Sequence, residues 1–322
     1  MKVIKNIYKS QNGTDDINLI ENGMYIRDVK LDLGIGEEII IGHISDLHFN
    51  YCNDKDFEEN DPVLMSTYKN RTWLAGGETA FLADKCFDFF KNADQVVLNG
   101  DTLDYLSYGC MEIMKREIWD KHPEVIATLG GHEFARNMQG EVPDTTPWES
   151  KAKKLQAFWP HDIFYFSRII KEKILVIGLL NDGSRFYEPQ KEKLKNDILL
   201  AREKGYKILI FGHEPIASHL EKYKNFTFDD VMLKTCNSGF PIDFRNRFAG
   251  RVTSDPITKE IYSLIVENAD VIKGFFAGHW HNDMYLEIAA KNPNGSQAII
   301  PQYVNNCTAA DLAGHVMRIT IK

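Results

Sequence analysis

The chain has 322 residues, 43% of them apolar and 26% charged, and carries a net charge of −8 at pH 7. That composition excludes a disordered polymer and supplies no basic footprint for non-specific contact with phosphate backbones, so nucleic acid is an unfavoured partner. The apolar runs, such as 174–180, are strand-sized and well short of the about 18 residues a membrane-spanning helix needs, so no membrane partner is expected.

In chain order, the lysine-containing start reaches a polar run at 10–16 before any apolar signal core forms, which points to the cytoplasm. A buried strand is predicted over 39–44, a helix over 80–90, and strands over 95–98 and 125–129. A strand at 174–180, a helix at 188–203, a strand at 207–211, a helix at 257–266 and a strand at 271–277 continue the alternation. This is an α/β pattern. Three closely spaced strands, 284–288, 298–304 and 315–321, imply some antiparallel pairing near the end. The aromatic-studded polar stretches 50–77, 135–160 and 218–255 read as long loops around a site. With no repeat and no Pro/Gly/Ser-rich linker, the expectation is one domain over 1–322. The lysine groups at 151–154 and 191–195 are expected to be solvated helix faces.

Five cysteines, Cys52, Cys86, Cys110, Cys236 and Cys307, are odd in number and scattered without a C-x-x-C pair. They are expected to be reduced thiols, neither a disulfide framework nor a structural zinc knot.

Five predicted strands end in histidine or carboxylate. The strand at 39–44 runs into Ser45, Asp46, Leu47 and His48; the next into Asn99, Gly100 and Asp101; the third into Gly130, Gly131, His132 and Glu133. Strand 207–211 runs into Gly212, His213, Glu214 and Pro215, and 271–277 into Gly278, His279, Trp280 and His281. Ligands of open α/β sheets bind outside the carboxyl ends of strands, so these segments are expected to converge. On an extended backbone, residues two apart point the same way, letting Asp46 pair with His48 and His279 with His281. Imidazole and carboxylate donors in this number suit two transition-metal ions.

In order, these motifs resemble those of the calcineurin-like metallophosphoesterases: D-x-H, G-D-x-x-D/Y, G-N-H-D/E, G-H-x-P and G-H-x-H. The resemblance implies a four-layer α/β/β/α sandwich of two mixed sheets and hydrolysis of a phosphomonoester or phosphodiester by attack of a metal-bridging hydroxide. It implies a small phosphorylated substrate and two divalent ions drawn from Mn, Zn, Fe, Co or Ni. Asp46, His48 and His281 would hold the first ion, Asp101 would bridge, and His213 with His279 would hold the second. His132 would be the leaving-group acid, oriented by Asp104.

Two departures matter. Gly131 stands where the family has an asparagine ligand of the second ion, so a water, Asn99 or another polar group would have to fill the gap. Asp104 stands where purple acid phosphatases have their iron-binding tyrosine, and Tyr105 follows where protein phosphatases continue with Arg-Gly. Alternatives are a weakened metal-binding scaffold or sensor of the same fold, or a nuclease. Glu133 reads equally as support for the site or as a surface carboxylate. His43, His122, His161 and His315 are expected to be structural or exposed, and His219 to be a substrate contact only if its loop reaches the site. Tyr105, Tyr108, Phe240, Arg245 and Arg247 are rim candidates by loop position.

Overall fold

The computed structural model describes residues 3–9, 15–20, 22–75, 79–137, 142–223, 226–227, 241–242, 254–309 and 312–322. Continuous apolar runs form strands buried on both faces. In β9 (Lys207–Gly212), Ile208 and Ile210 point to one core while Leu209 and Phe211 point to another. Helices start where the sequence supplies caps: Asp255 accepts from the Thr258 amide at 2.9 Å, with Pro256 in the first turn of α8 (Pro256–Val266). Helix α7 (Glu188–Lys204) ends on Gly205 at φ +76°.

Two mixed sheets result. The first has the order β1 (Val3–Lys9), β2 (Asp16–Ile20), β3 (Tyr25–Leu31), β15 (His315–Ile321), β4 (Ile39–Ile44), β5 (Gln95–Asn99), β6 (Ile126–Thr128). The second runs β13 (Met284–Lys291), β14 (Gln297–Val304), β12 (Ile272–Ala277), β9, β8 (Ile174–Leu179), β7 (Tyr165–Ile170). Between them lie Ile41, Val97 and Ile126 against Val176, Phe211 and Phe276. Leu82 and Cys86 of α3 (Thr79–Phe89) and Met111 of α4 (Tyr108–Met114) cover the outer face of the first sheet. Leu194 and Ile198 of α7 with Ile261 and Ile265 of α8 cover the second. Three apolar interfaces separate four layers, the α/β/β/α sandwich expected. The predicted antiparallel pairing is β13 with β14, whereas β15 joins the other sheet, parallel to β3 and antiparallel to β4.

Several expectations fail here. Stretch 50–77 is largely helical, with α1 (Asp54–Glu59) capped by Asn53 and α2 (Pro62–Ala75) capped by Asp61, whose carboxylate accepts from Val63 and Leu64. The apolar residues of α2 form no stripe, so periodicity could not reveal it. Stretch 135–160 contains α6 (Trp148–Phe158), which buries only Ala152 and Leu155. Strands β1, β2, β3 and β7 were not expected, because polar residues interrupt them. Most of 218–255 lies outside the described residues. Cys52, Cys86, Cys110 and Cys307 are buried thiols, while Cys236 lies outside the description. Among the described residues, no helix is long and apolar enough to cross a membrane.

Candidate metal centre

Strands β4, β5 and β6 are mutually parallel, as are β8, β9 and β12, and the segments leaving their carboxyl ends meet at one edge of the sandwich. The segments after β4 and β5 are laced together: Asp46 N–H donates to the Gly100 carbonyl at 3.1 Å, and His48 N–H to that of Asp101 at 3.0 Å. Asp46, His48, Asp101, His279 and His281 all take positive φ, between 49° and 70°. The Asp46/His48 and His279/His281 pairs therefore converge through tight left-handed turns and not, as expected, through the alternation of an extended strand. Close approach also demands Gly278, where a Cβ would stand 2.5 Å from Asp46 Oδ2.

Asp46 Oδ1 lies 3.2 Å from His281 Nε2 and 3.9 Å from His48 Nε2, and the two imidazole nitrogens are 3.3 Å apart. Donor atoms of Asp101, His213 and His279 form a second group within 4.8 Å of one another, and Asp101 also groups with Asp46 and His48. His213 Nδ1 lies 2.7 Å from the Asn99 carbonyl, which only accepts, so Nδ1 carries the hydrogen and Nε2 is bare in the neutral ring. That Nε2 is fully buried and lies 2.9 Å from Asp101 Oδ2 without a hydrogen bond. A bare nitrogen facing a carboxylate requires a proton or a cation. Metal-free, the proton is favoured: burial opposes charge on His213, but Asp101 and Asp46 hold its pKa well above the ordinary value. The donors therefore fit divalent metal ions, which suit mixed imidazole and carboxylate sets.

Beside the donors stands His132, whose side chain is 18% exposed, so one edge stays open to a ligand. Its Nδ1 lies 2.8 Å from the Asp104 carbonyl and 3.3 Å from that residue's carboxylate. Burial disfavours its charge, but Asp101 and Asp104 outweigh this and raise its pKa to about 9. The Asp104 carboxylate is fully buried among His48 Nδ1 (3.1 Å), Asn50 Nδ2 (2.8 Å) and the Arg71 guanidinium, whose Nε is 2.9 Å away. Burial pushes it up, yet the hydrogen bonds from His132, His48 and Arg71 win and hold it well below the usual carboxylate range.

Glu133, left open between two readings, is fully buried. Its carboxylate accepts from four main-chain amides: Asp101 (3.0 Å), Thr102 (2.6 Å), Leu103 (2.9 Å) and Gly130 (2.7 Å). It ties the segment carrying Asp101 to the one carrying His132. Sequence reasoning also missed Arg71 and Asn50, which only the fold brings to Asp104, and Cys307, whose thiol donates to the Asp46 carbonyl at 3.2 Å. Asn99 is not free to fill a gap, because its amide donates to the Phe276 carbonyl and its oxygen accepts from Thr128.

His43 packs between the sheets near Phe211 and Phe276; His122 stacks on Phe87, His315 on Tyr25, and His161 lies near Phe166. His219 packs against Tyr262. Tyr105 is no rim residue: it is fully buried and donates to Asn50. The Tyr108 ring is covered by Lys55 and Lys154, and Phe240, Arg245 and Arg247 lie outside the described residues.

The family model for calcineurin-like phosphoesterases matches residues 39–283. No curated protein matches the chain. Among solved structures, it is similar to a Staphylococcus aureus protein described as a 5′-nucleotidase, in complex with α-ketoglutarate, at 15% identity and TM-score 0.40, covering 88% of this chain and 51% of that one. It is similar to a dimetal phosphatase from Danio rerio at 14% identity and TM-score 0.41, covering 83% and 87%. Calcineurin-like phosphoesterase YfkN from Bacillus subtilis gives 15% identity and TM-score 0.33, covering 84% and 81%. The chain spans about half the length of the first of these.

Proposed function

This chain belongs to the calcineurin-like phosphoesterases, hydrolases of phosphoester bonds, and we propose that it is a metal-dependent phosphoesterase acting on a small phosphorylated substrate. The observation that carries the reading is the convergence of the buried His213 Nε2, 2.9 Å from Asp101 Oδ2, with the Asp46, His48 and His281 donors. Asp46, His48 and His281 would hold one ion, His213 and His279 a second, with Asp101 shared. Bound there, two divalent ions supply an activated water near neutral pH and neutralise charge on the phosphoryl oxygens.

The chain's own chemistry centres on His132. Its Nδ1–H is committed to the Asp104 carbonyl, which fixes the ring and leaves Nε2 on the side of the metal donors, 3.8 Å from Asp101 Oδ2. The Asp101 and Asp104 carboxylates favour the protonated ring, and in that form the ring is an acid able to donate to a departing alkoxide. Asp104 orients two rings at once, because its carboxylate meets Nδ1 of both His48 and His132. A pure scaffold has no use for a leaving-group acid, which disfavours that alternative.

The test is a screen of chelator-stripped protein against phosphomonoesters, phosphodiesters, pyrophosphates and single-stranded nucleic acid, with Mn, Zn, Fe, Co or Ni added back. Metal-restored turnover of a small phosphoester is expected. Metal uptake with no turnover of any substrate would return the protein to the scaffold reading, and turnover confined to nucleic acid would make it a nuclease.

A further inference from the structure

Gly131 presents no side chain to the second donor group, yet the space before it is not vacant. A Cβ built on Gly131 would meet Asp182 Oδ1 at 3.3 Å, its sole neighbour within 4 Å. The adjacent Gly130 is pressed against the donors, since a Cβ there would stand 2.3 Å from Asp101 Oδ1 and 2.3 Å from His213 Cδ2, the ring atom next to Nε2. Of these two adjacent glycines, one abuts the second donor group and the other abuts Asp182.

Asp182 is held there by a built turn. It follows β8, and its neighbour Asn181 clamps the end of β9: Asn181 Oδ1 accepts from Glu214 N–H at 2.9 Å, and its Nδ2 donates to the Glu214 carbonyl at 2.5 Å. The Glu214 carboxylate returns the bond, accepting from Gly183 N–H at 2.9 Å and Ser184 Oγ at 2.6 Å. Glu214 immediately follows His213, so the turn is anchored to the strand end that supplies a donor. Asp182 Oδ2 accepts from Trp148 Nε1 at 3.1 Å, and Trp148 is itself stacked between Phe134 and Tyr187. Oδ2 is fixed; Oδ1 faces Gly131.

We propose that Asp182 supplies an oxygen ligand to the second ion through Oδ1, across the space that Gly131 leaves open. The assignment rests on the two-ion reading given above. One further observation supports it. His213 Nε2 is fully buried and faces the Asp101 carboxylate at 2.9 Å, a nitrogen and an oxygen that can both donate to one cation. With Asp182 the set becomes two carboxylates and two imidazoles, a donor composition suited to first-row divalent ions. An asparagine at 131 would compete with Asp182 for the same space, which gives the glycine its reason.

The test is equilibrium dialysis of chelator-stripped protein against Mn²⁺, with bound metal counted per chain. Two ions are expected for the unaltered protein. Asp182→Ala should weaken the second by about ten-fold or more and leave the first unchanged, and adding Gly131→Asn to that variant should restore most of the lost affinity. Asp182→Ala that binds both ions as tightly as its parent overturns the assignment, as does an unaltered protein that binds only one. Uptake of no ion by the unaltered protein overturns the two-ion reading and this assignment with it. Should Asp182→Ala not fold, a Zn²⁺ titration of the unaltered protein decides by tryptophan fluorescence. Emission should change with the second equivalent and that change should vanish in Trp148→Phe; its absence in the unaltered protein overturns the assignment.

Discussion

The nearest acceptor to the His132 ring is the main-chain carbonyl of Asp104, 2.8 Å from Nδ1, with the same residue's carboxylate at 3.3 Å. Orientation of the ring and electrostatic support for its charge therefore come from different atoms of one residue. Asp104→Asn keeps the carbonyl and should cost turnover less than loss of the ring itself. It should cost stability more, because the buried Arg71 guanidinium loses its charged partner, a change worth about 3 kcal/mol or more. Urea unfolding beside kcat on one substrate checks both halves; a stable variant with abolished turnover would reverse the assignment of labour.

His132→Ala should leave metal content near that of the parent, because the ring is not among the proposed ligands. Turnover should fall by roughly 10² to 10⁴. The loss should shrink for a nitrophenyl ester, whose leaving group needs little protonation. Equal losses on nitrophenyl and alkyl esters would remove His132 from the role of acid.

Glu133→Gln tests whether four amides need a carboxylate. Oε1 serves Thr102 and Leu103 while Oε2 serves Asp101 and Gly130, so an amide can satisfy one pair and turns its NH₂ toward the other. Leaving two buried donors unpaired costs about 1–3 kcal/mol each. Denaturant midpoints should fall accordingly, and Mn²⁺ affinity should fall with them because the segment bearing Asp101 is no longer tied down. An unchanged midpoint would mean that water or backbone movement replaces the missing acceptor.

The strands that lead into the site and the chemistry at their ends were legible because the donors sit just beyond apolar runs, where the local sequence announces both the strand and its end. Asp46, His48, Asp101, His213, His279 and His281 all meet that description. Arg71 does not: it lies within a helix whose apolar residues form no stripe, and nothing near position 71 refers to position 104. Glu133 was visible but undecidable, since three of its four amide partners lie about 30 residues away in sequence. Asp182 was invisible for a similar reason, because its importance comes from the turn that Asn181 and Glu214 close between two strands. The local geometry was also misjudged at Asp46 and His48, where turns at positive φ do what strand alternation was expected to do.

His43 should make the fold acid-sensitive. Burial first, partly offset by Asp46, lowers its pKa from 6.5 to about 3, and neither ring nitrogen has a hydrogen-bond partner among the described residues. The unfolded chain binds a proton near pH 6.5 and the folded one does not until about pH 3, so between these values the unfolded state carries more protons and stability falls as pH falls. The contribution is full above pH 6.5 and amounts to several kcal/mol across that window. His43→Leu should flatten the stability profile between pH 7 and pH 4 in urea titrations. An unaltered slope would place the acid sensitivity elsewhere.

Strand β15 sits between β3 and β4 and, among the described residues, links the β1–β2–β3 meander to β4, β5 and β6. On a ribosome this is the last of those strands to emerge, so the first sheet can only assemble in two separate parts until residues 315–321 have been made. During that interval β3 and β4 each hold a row of unpaired amides and carbonyls, the kind of edge that recruits other chains. The final seven-residue insertion is a non-local step that brings together strands from opposite ends of the sequence, and such steps are slow. Yield of this protein should therefore be governed less by its final stability than by how long that slot stays open, with lower temperature or slower synthesis favouring insertion over aggregation.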